Sequence, residues 1–265
     1  MKLNLDNKHV LITGGSKGIG LACAQGFLDE GARVTLVSRS ADNLTAGKQA
    51  LLAAFPDAGG RIATIAADLT DPVAAVKALD QAEADSGAVD ILVNSAGAAK
   101  RTPADELTPQ AWHDAMQAKY FSYIYMIDPV VQRMGKRGAG VIINVVGNGG
   151  KVASPTHLAG GAANAALMLV SAGLANAFGP KGVRVNAINP GLTLTERLKE
   201  GLKADAKVQN VGMDEALNIA NQRQPLRRLA EPREIADAVL FLASERASYI
   251  TGAILAMDGA LTPMI

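Results

Sequence analysis

Short runs of aliphatic and β-branched residues alternate with longer amphipathic stretches along the whole chain, and this alternation predicts the elements. The apolar runs cover 9–12, 33–38, 61–67, 89–94, 140–146, 183–189 and 253–257. Most are apolar at successive positions, as expected of strands buried on both faces. The amphipathic stretches near 18–30, 41–55, 71–86, 108–136, 157–179 and 231–244 are each long enough for a helix that crosses over between parallel strands. Pro72, Pro109 and Pro232 directly follow Asp71, Thr108 and Glu231. They fall in first helical turns, where a missing N–H costs nothing. The pattern predicts a doubly wound α/β fold, a mainly parallel seven-stranded sheet with helices on both faces. A single domain over 1–265 is expected, since this length suits one large core. Residues 195–228 break the rhythm and carry more charge, which predicts an excursion over a ligand crevice.

Composition narrows the partners. The chain is 49% hydrophobic and 19% charged, a globular balance far from that of a disordered chain. Its 26 basic and 25 acidic side chains are well mixed, so no concentrated field favours nucleic acid or a membrane surface. Cys23 is the lone cysteine and lies in an apolar run, which predicts a buried inert thiol and fits a reducing compartment. The first six residues have no apolar leader and no uninterrupted apolar stretch is long enough to span a bilayer, so a cytoplasmic location is expected. No metal set is expected.

The most specific motif is Thr13-Gly14-Gly15-Ser16-Lys17-Gly18-Ile19-Gly20, which follows the first strand and opens the first helix. Gly14 suits a tight turn, Gly18 a close approach to a pyrophosphate, and Gly20 close packing of helix on strand. The helix N-terminus offers free N–H groups to the phosphates. At the end of the second strand a carboxylate would read a ribose 2′-hydroxyl, but here Val37-Ser38-Arg39-Ser40 offers none before Asp42. Arg39 can fork onto a 2′-phosphate, with Lys17 beside it, so NADP(H) is expected in preference to NAD(H).

These motifs, together with Ala67-Asp68-Leu69, Asn94-Ser95-Ala96-Gly97, Asn189-Pro190-Gly191 and Glu231-Pro232-Arg233-Glu234 through Asp258-Gly259, resemble the short-chain dehydrogenases/reductases over nearly the whole chain. The resemblance implies that Asp68 and Leu69 border the adenine, and that Asn94, Ala96 and Gly97 support the sheet and cofactor. It also implies that Pro190, Gly191, Thr193 and Thr195 hold the nicotinamide end. All these positions close strands at their carboxyl ends, where open α/β sheets bind ligands. The family commonly forms homo-oligomers, and the apolar end Ala260–Ile265 also favours one, a tetramer or a dimer.

The departures from the family fall where its chemistry is done. By the same alignment the family's Ser position is Gly147, its Tyr position Gly160, its Lys position Asn164 and its helical Asn position Lys119. Lys and Asn are thus exchanged, either as a reciprocal pair that keeps one cation and one amide in the site or as two unrelated substitutions. Proton donors are sought in Tyr123, four residues after Lys119 on the same helix face, and in His157, three residues before Gly160. Asn148 and Lys151, in the loop Gly147-Asn148-Gly149-Gly150-Lys151, could hydrogen-bond a substrate carbonyl. Two function classes follow. One is an NADP(H)-dependent oxidoreductase with an atypical site, Lys119, Asn164, Tyr123 and His157, acting on a small-molecule carbonyl or alcohol. The other is a catalytically inactive cofactor-binding sensor or scaffold.

Overall fold

The computed structural model describes residues 1–97, 100 and 102–262, with the side chains of 200, 201, 204, 205 and 207–209 left out of the description. The sequence's apolar end therefore lies outside the described residues at 263–265. The seven expected strands form one sheet: β1 (His9–Thr13), β2 (Arg33–Ser38), β3 (Ile62–Ala66), β4 (Ile91–Asn94), β5 (Gly140–Val145), β6 (Val183–Pro190) and β7 (Ile254–Met257). Their order is β3-β2-β1-β4-β5-β6-β7 and every pairing is parallel. The order reverses between β1 and β4, which opens a crevice at their carboxyl ends.

Both faces are covered, as the unbroken apolar runs require. On one face Val10 and Ile12 of β1 pack with Phe27 and Leu28 of α1 (Gly18–Asp29) and Val239 of α9 (Pro232–Ala243). On the other, Leu11 and Leu92 pack with Leu79 of α3 (Pro72–Ser86), Met126 of α5 (Ser122–Arg137) and Leu167 of α6 (Leu158–Phe178). Adjacent strand residues thus serve opposite layers. Cys23 is fully buried on the first face and its thiol is pushed up to about 12 by burial, which makes it inert. Asp71 and Thr108 cap α3 and the short α4 (Pro109–Ala115) by accepting from Val73 and Ala111 N–H groups, with proline at the next position. The stretch Leu158–Lys181 is long and apolar enough to cross a membrane, yet half of it is buried against the sheet, so α6 is a core helix.

The excursion at 195–228 is helical, with α7 (Glu196–Gln209) followed by α8 (Met213–Gln222). Leu202, Ala220 and Leu229 give it a small core of its own. The remaining helix, α2 (Ala41–Ala54), is capped by Ser40, whose hydroxyl accepts from Asn43 N–H.

At the opposite end of the sheet, His9 is fully buried. Its Nδ1 donates to Gly87 O at 2.7 Å, and Nε2 faces Thr35 Oγ1 at 2.9 Å, so the neutral ring accepts there. Burial lowers its pKa below 6.5, so in acid the unfolded chain takes up a proton that the folded chain resists. Stability should fall as pH drops below 6.5, a slope that His9→Gln should lessen; denaturant melts of both proteins at stepped pH check this.

Candidate active site

The glycine turn has the close approaches expected of it. Gly14 has φ +66°, and a Cβ there would stand 2.8 Å from Ala96 Cα and Ser95 O. A Cβ on Gly20 would collide with the carbonyl oxygen of Gly14, so helix and strand meet with no side chain between them. Lys17 is the extended residue ahead of α1, and Gly18 follows with φ +54°, its would-be Cβ 3.2 Å from Thr195 Cγ2. Thr195 therefore lies over the turn, and its hydroxyl accepts from Leu198 N–H at the start of α7. Ser16 Oγ donates to Ser38 Oγ at 3.2 Å, linking the turn to the end of β2, while Lys17 and Arg39 stand exposed. The cradle fits a dinucleotide: backbone approaches where side chains would obstruct it, and two exposed cations flank the turn and the end of β2.

Other predicted positions divide between crevice and scaffold. Asp68 is exposed and its Oδ1 accepts from Thr70 N–H and Oγ1–H at 3.0 and 2.9 Å. These bonds, and the charge of Arg39, hold its carboxyl below the usual range. Asp71, not Asp68, caps α3. Leu69 is 5% exposed and its side chain belongs to the core, which leaves its backbone to face the crevice. Asn94 is fully buried in a polar chain: Thr13 Oγ1 donates to its Oδ1, its Nδ2 donates to Asn144 Oδ1, and Asn144 Nδ2 donates to Ser171 Oγ. This ties β1, β4, β5 and α6 together below the crevice. Gly97, at φ +78°, brings the loop after β4 against the carbonyl of Ala118. Pro190 ends β6, and Gly191 N–H donates to Met257 O at 3.1 Å. Thr193 is buried and bridges to Ala230.

Lys119 reaches the end of β5, and Asn164 and His157 lie beside the loop that follows it. Between α4 and α5 the chain widens into a π-helical stretch, Met116–Phe121, whose loosened carbonyls at Ala118 and Lys119 accept from Ser122 Oγ. Lys119 projects from this stretch. Its Nζ donates to Tyr123 Oη at 2.7 Å and to Val145 O at 3.2 Å, leaving a third donor. Desolvation, with a smaller repulsion from Arg197, lowers the ammonium's pKa to about 7. Tyr123 does not fit the role of proton donor: it is fully buried, its hydroxyl donates to Val145 O at 2.7 Å, and burial raises its pKa. The phenol instead positions Lys119.

On the other side of the β5 end, Asn164 is buried on α6. Its Nδ2 lies 3.3 Å from where a Cβ on Gly147 would stand, and its Oδ1 is buried with no partner among the described residues. Gly160 has its empty space filled by His157, since a Cβ there would lie 2.6 Å from Nε2 and 2.8 Å from Nδ1 of that imidazole. A Cβ on Gly149 would likewise stand 3.1 Å from His157 Cδ2. Glycine at both 149 and 160 is what makes room for the ring. Asn148 is occupied in part by its own turn, its carbonyl accepting from Lys151 and Val152 N–H.

Sequence reasoning missed the acceptor carbonyl of Val145 and the reach of Arg197 toward Lys119, neither of which leaves a sequence signal. It also missed the fit of His157 over Gly160, for which the i, i+3 spacing was a usable hint.

A glycine-cradled crevice at the switch point of a parallel sheet is the arrangement of a dinucleotide-binding α/β fold. Residues 14–262 match the family model described as enoyl-(acyl carrier protein) reductase. The chain is 36% identical over 261 residues to D-threitol dehydrogenase of Mycolicibacterium smegmatis, covering 97% of this chain and 94% of that one. Among solved structures, L-sorbose reductase from Gluconobacter frateurii, complexed with NADPH and L-sorbose, superposes with a TM-score of 0.93 at 31% identity over the whole of both chains. An NADPH-bound short chain oxidoreductase from Pseudomonas aeruginosa PAO1, described as containing an atypical catalytic center, gives 0.88 at 32% identity, covering 98% of this chain and 99% of that one. The chain belongs to the short-chain dehydrogenase/reductase family. Its relatives act on alcohols and carbonyls, and a nicotinamide cofactor is typical of the family.

Proposed function

We propose that this protein is an NADP(H)-dependent oxidoreductase that interconverts a hydroxylated ketone and its alcohol, with Lys119 in place of the family's tyrosine–lysine pair. The observation that carries this reading is the Lys119 ammonium, held by Tyr123 and Val145 beside the crevice and titrating at about 7. Gly14, Ser16, Lys17, Gly18, Ile19 and Gly20 hold the pyrophosphate side, and Ser38 and Arg39 take the 2′-phosphate. When bound, the reduced nicotinamide supplies a hydride to the carbonyl carbon. Lys119 stabilises the negative charge that grows on the carbonyl oxygen and passes it a proton, then recovers one from solvent. Asn164, with its unpartnered carbonyl, accepts a hydrogen bond from a substrate hydroxyl or water. The polyol and ketose names of the relatives support a hydroxylated substrate.

The test is NADPH oxidation against a panel of ketoses and simpler ketones. Turnover of at least one supports the reading. Tight NADPH binding with no reaction across the panel favours the sensor or scaffold, to which the glycines at 147 and 160 also point.

We further propose a homo-oligomer, a tetramer or a dimer. Leu169 on α6 and Leu255 on β7 are 77% and 39% exposed, so each leaves apolar surface for a partner copy to cover. Light scattering at micromolar concentration should give a multiple of the 27.3 kDa chain, and Leu169→Glu should lower it; a stable monomer contradicts this.

A further inference from the structure

We propose that a cavity of about 420 Å³, between α4 and the loop ahead of α6, receives the hydroxylated chain of the substrate, with His157 at its mouth determining specificity. This rests on the reading of the protein as an oxidoreductase of hydroxylated carbonyls and says where such a molecule lies. The volume falls within the range of small-molecule sites.

The cavity exists because its back wall is alanine. Ala111, Ala115 and Ala118 are spaced i, i+4, i+7 along α4 and the π-helical stretch, and Ala159 faces them from α6. Ala115 and Ala159 are buried and pack together, so the wall is part of the fold. Thr102 N–H donates to Thr156 O at 3.0 Å, tying the loop before α4 to the loop before α6.

The rim decides the chemistry. Its charged and titratable groups are Lys100, Glu106, Asp114 and His157. Asp114 is held by Gln110, whose Nε2 donates to its Oδ1 at 2.8 Å, leaving the second carboxylate oxygen to accept. Two carboxylates and the Thr102 and Thr108 hydroxyls make a wall rich in acceptors, which suits the O–H donors of a neutral polyol chain. A carboxylate-ended chain would meet two carboxylates against the one ammonium of Lys100. His157 joins the cavity to the catalytic crevice: its ring lines the cavity and rests between Gly149 and Gly160, beside Asn164. The carbonyl end would lie toward Lys119 and Asn164, and the hydroxylated tail beneath α4.

The experiment is calorimetric titration of the NADP⁺-loaded protein with L-sorbose, hydroxyacetone and gluconate, in wild type, Ala111→Leu and Ala115→Leu. Leucine at either position fills the tail site. L-sorbose should bind about 10-fold more weakly to both variants, the loss of one or two polar contacts, with hydroxyacetone and NADP⁺ unchanged. Wild type should prefer L-sorbose to gluconate. Ala111 is only half-buried, so Ala111→Leu carries the test if Ala115→Leu does not fold. The proposal is overturned if folded variants bind L-sorbose as wild type does, if hydroxyacetone weakens equally, or if gluconate binds as well as L-sorbose. Wild type that reduces simple ketones yet binds no L-sorbose overturns the cavity assignment alone. Binding of L-sorbose that is lost in Ala111→Leu, with no turnover of any ketone, keeps the cavity and overturns the catalytic reading.

Discussion

Lys119→Met should slow hydride transfer in a single turnover by about 100-fold or more, while NADPH binds with unchanged affinity. The range for one general acid is about 100- to 10,000-fold. With glycine at 147 and 160, the positions that the sequence alignment assigns to the family's Ser and Tyr, the proposed site has Lys119 carry both the proton and the charge that meets the developing alkoxide. Methionine keeps the length and apolar contacts of the side chain while removing the ammonium. Tyr123→Phe should act less severely, because it removes only the hydroxyl to which Nζ donates at 2.7 Å and leaves Val145 O as a second partner. His157→Ala should alter selectivity among ketoses more than the rate of hydride transfer. Stopped-flow mixing of the NADPH complex with a reactive ketone measures all three variants.

Arg39→Ala should weaken NADPH about 10-fold and leave NADH nearly unchanged, the scale of one charge-assisted hydrogen bond discounted for exposure. Arg39 is exposed at the end of β2, where no carboxylate precedes Asp42 to read a 2′-hydroxyl. Its charge also lowers the pKa of Asp68, so the two lie close on one rim of the crevice. A 2′-phosphate would compete with Asp68 for the guanidinium, which makes the preference for NADPH sensitive to salt. Fluorescence titration of both cofactors is the measurement. Equal affinities in the wild type, or an unchanged preference in Arg39→Ala, would show that the phosphate is read elsewhere.

The sheet and its covering helices were legible because their signals are local. Short apolar runs such as Ile91-Leu92-Val93 fit strands covered on both faces, and Asp-Pro, Thr-Pro and Glu-Pro mark helix starts through the chemistry of the first turn. The cradle was legible for a similar reason: Gly14, Gly18 and Gly20 are needed where backbone approaches backbone, and the structure has those approaches. The excursion at 195–228 was legible only as a break in rhythm, since its helices make a small core of their own around Leu202 and Leu229. The π-helical widening at Met116–Phe121 was not legible, because one added residue in a turn leaves the apolar spacing almost unchanged. Lys119 lies within that widening. Tyr123 shows the same limit from the other side: four-residue spacing correctly paired it with Lys119, but only the fold shows its hydroxyl turned to a backbone carbonyl.

The central claim is that the Lys119 ammonium serves as the acid, and its most direct test is the pH dependence of single-turnover hydride transfer in wild type and Lys119→Arg. Below about 7 the amine is protonated and can donate; above it the proton is lost, so the wild-type rate of ketone reduction should fall as pH rises past that value. The guanidinium of Lys119→Arg keeps its proton throughout, so this variant should be slower and flat across the same range. A wild-type rate that does not fall, or an Arg variant that falls with the same midpoint, would contradict the account.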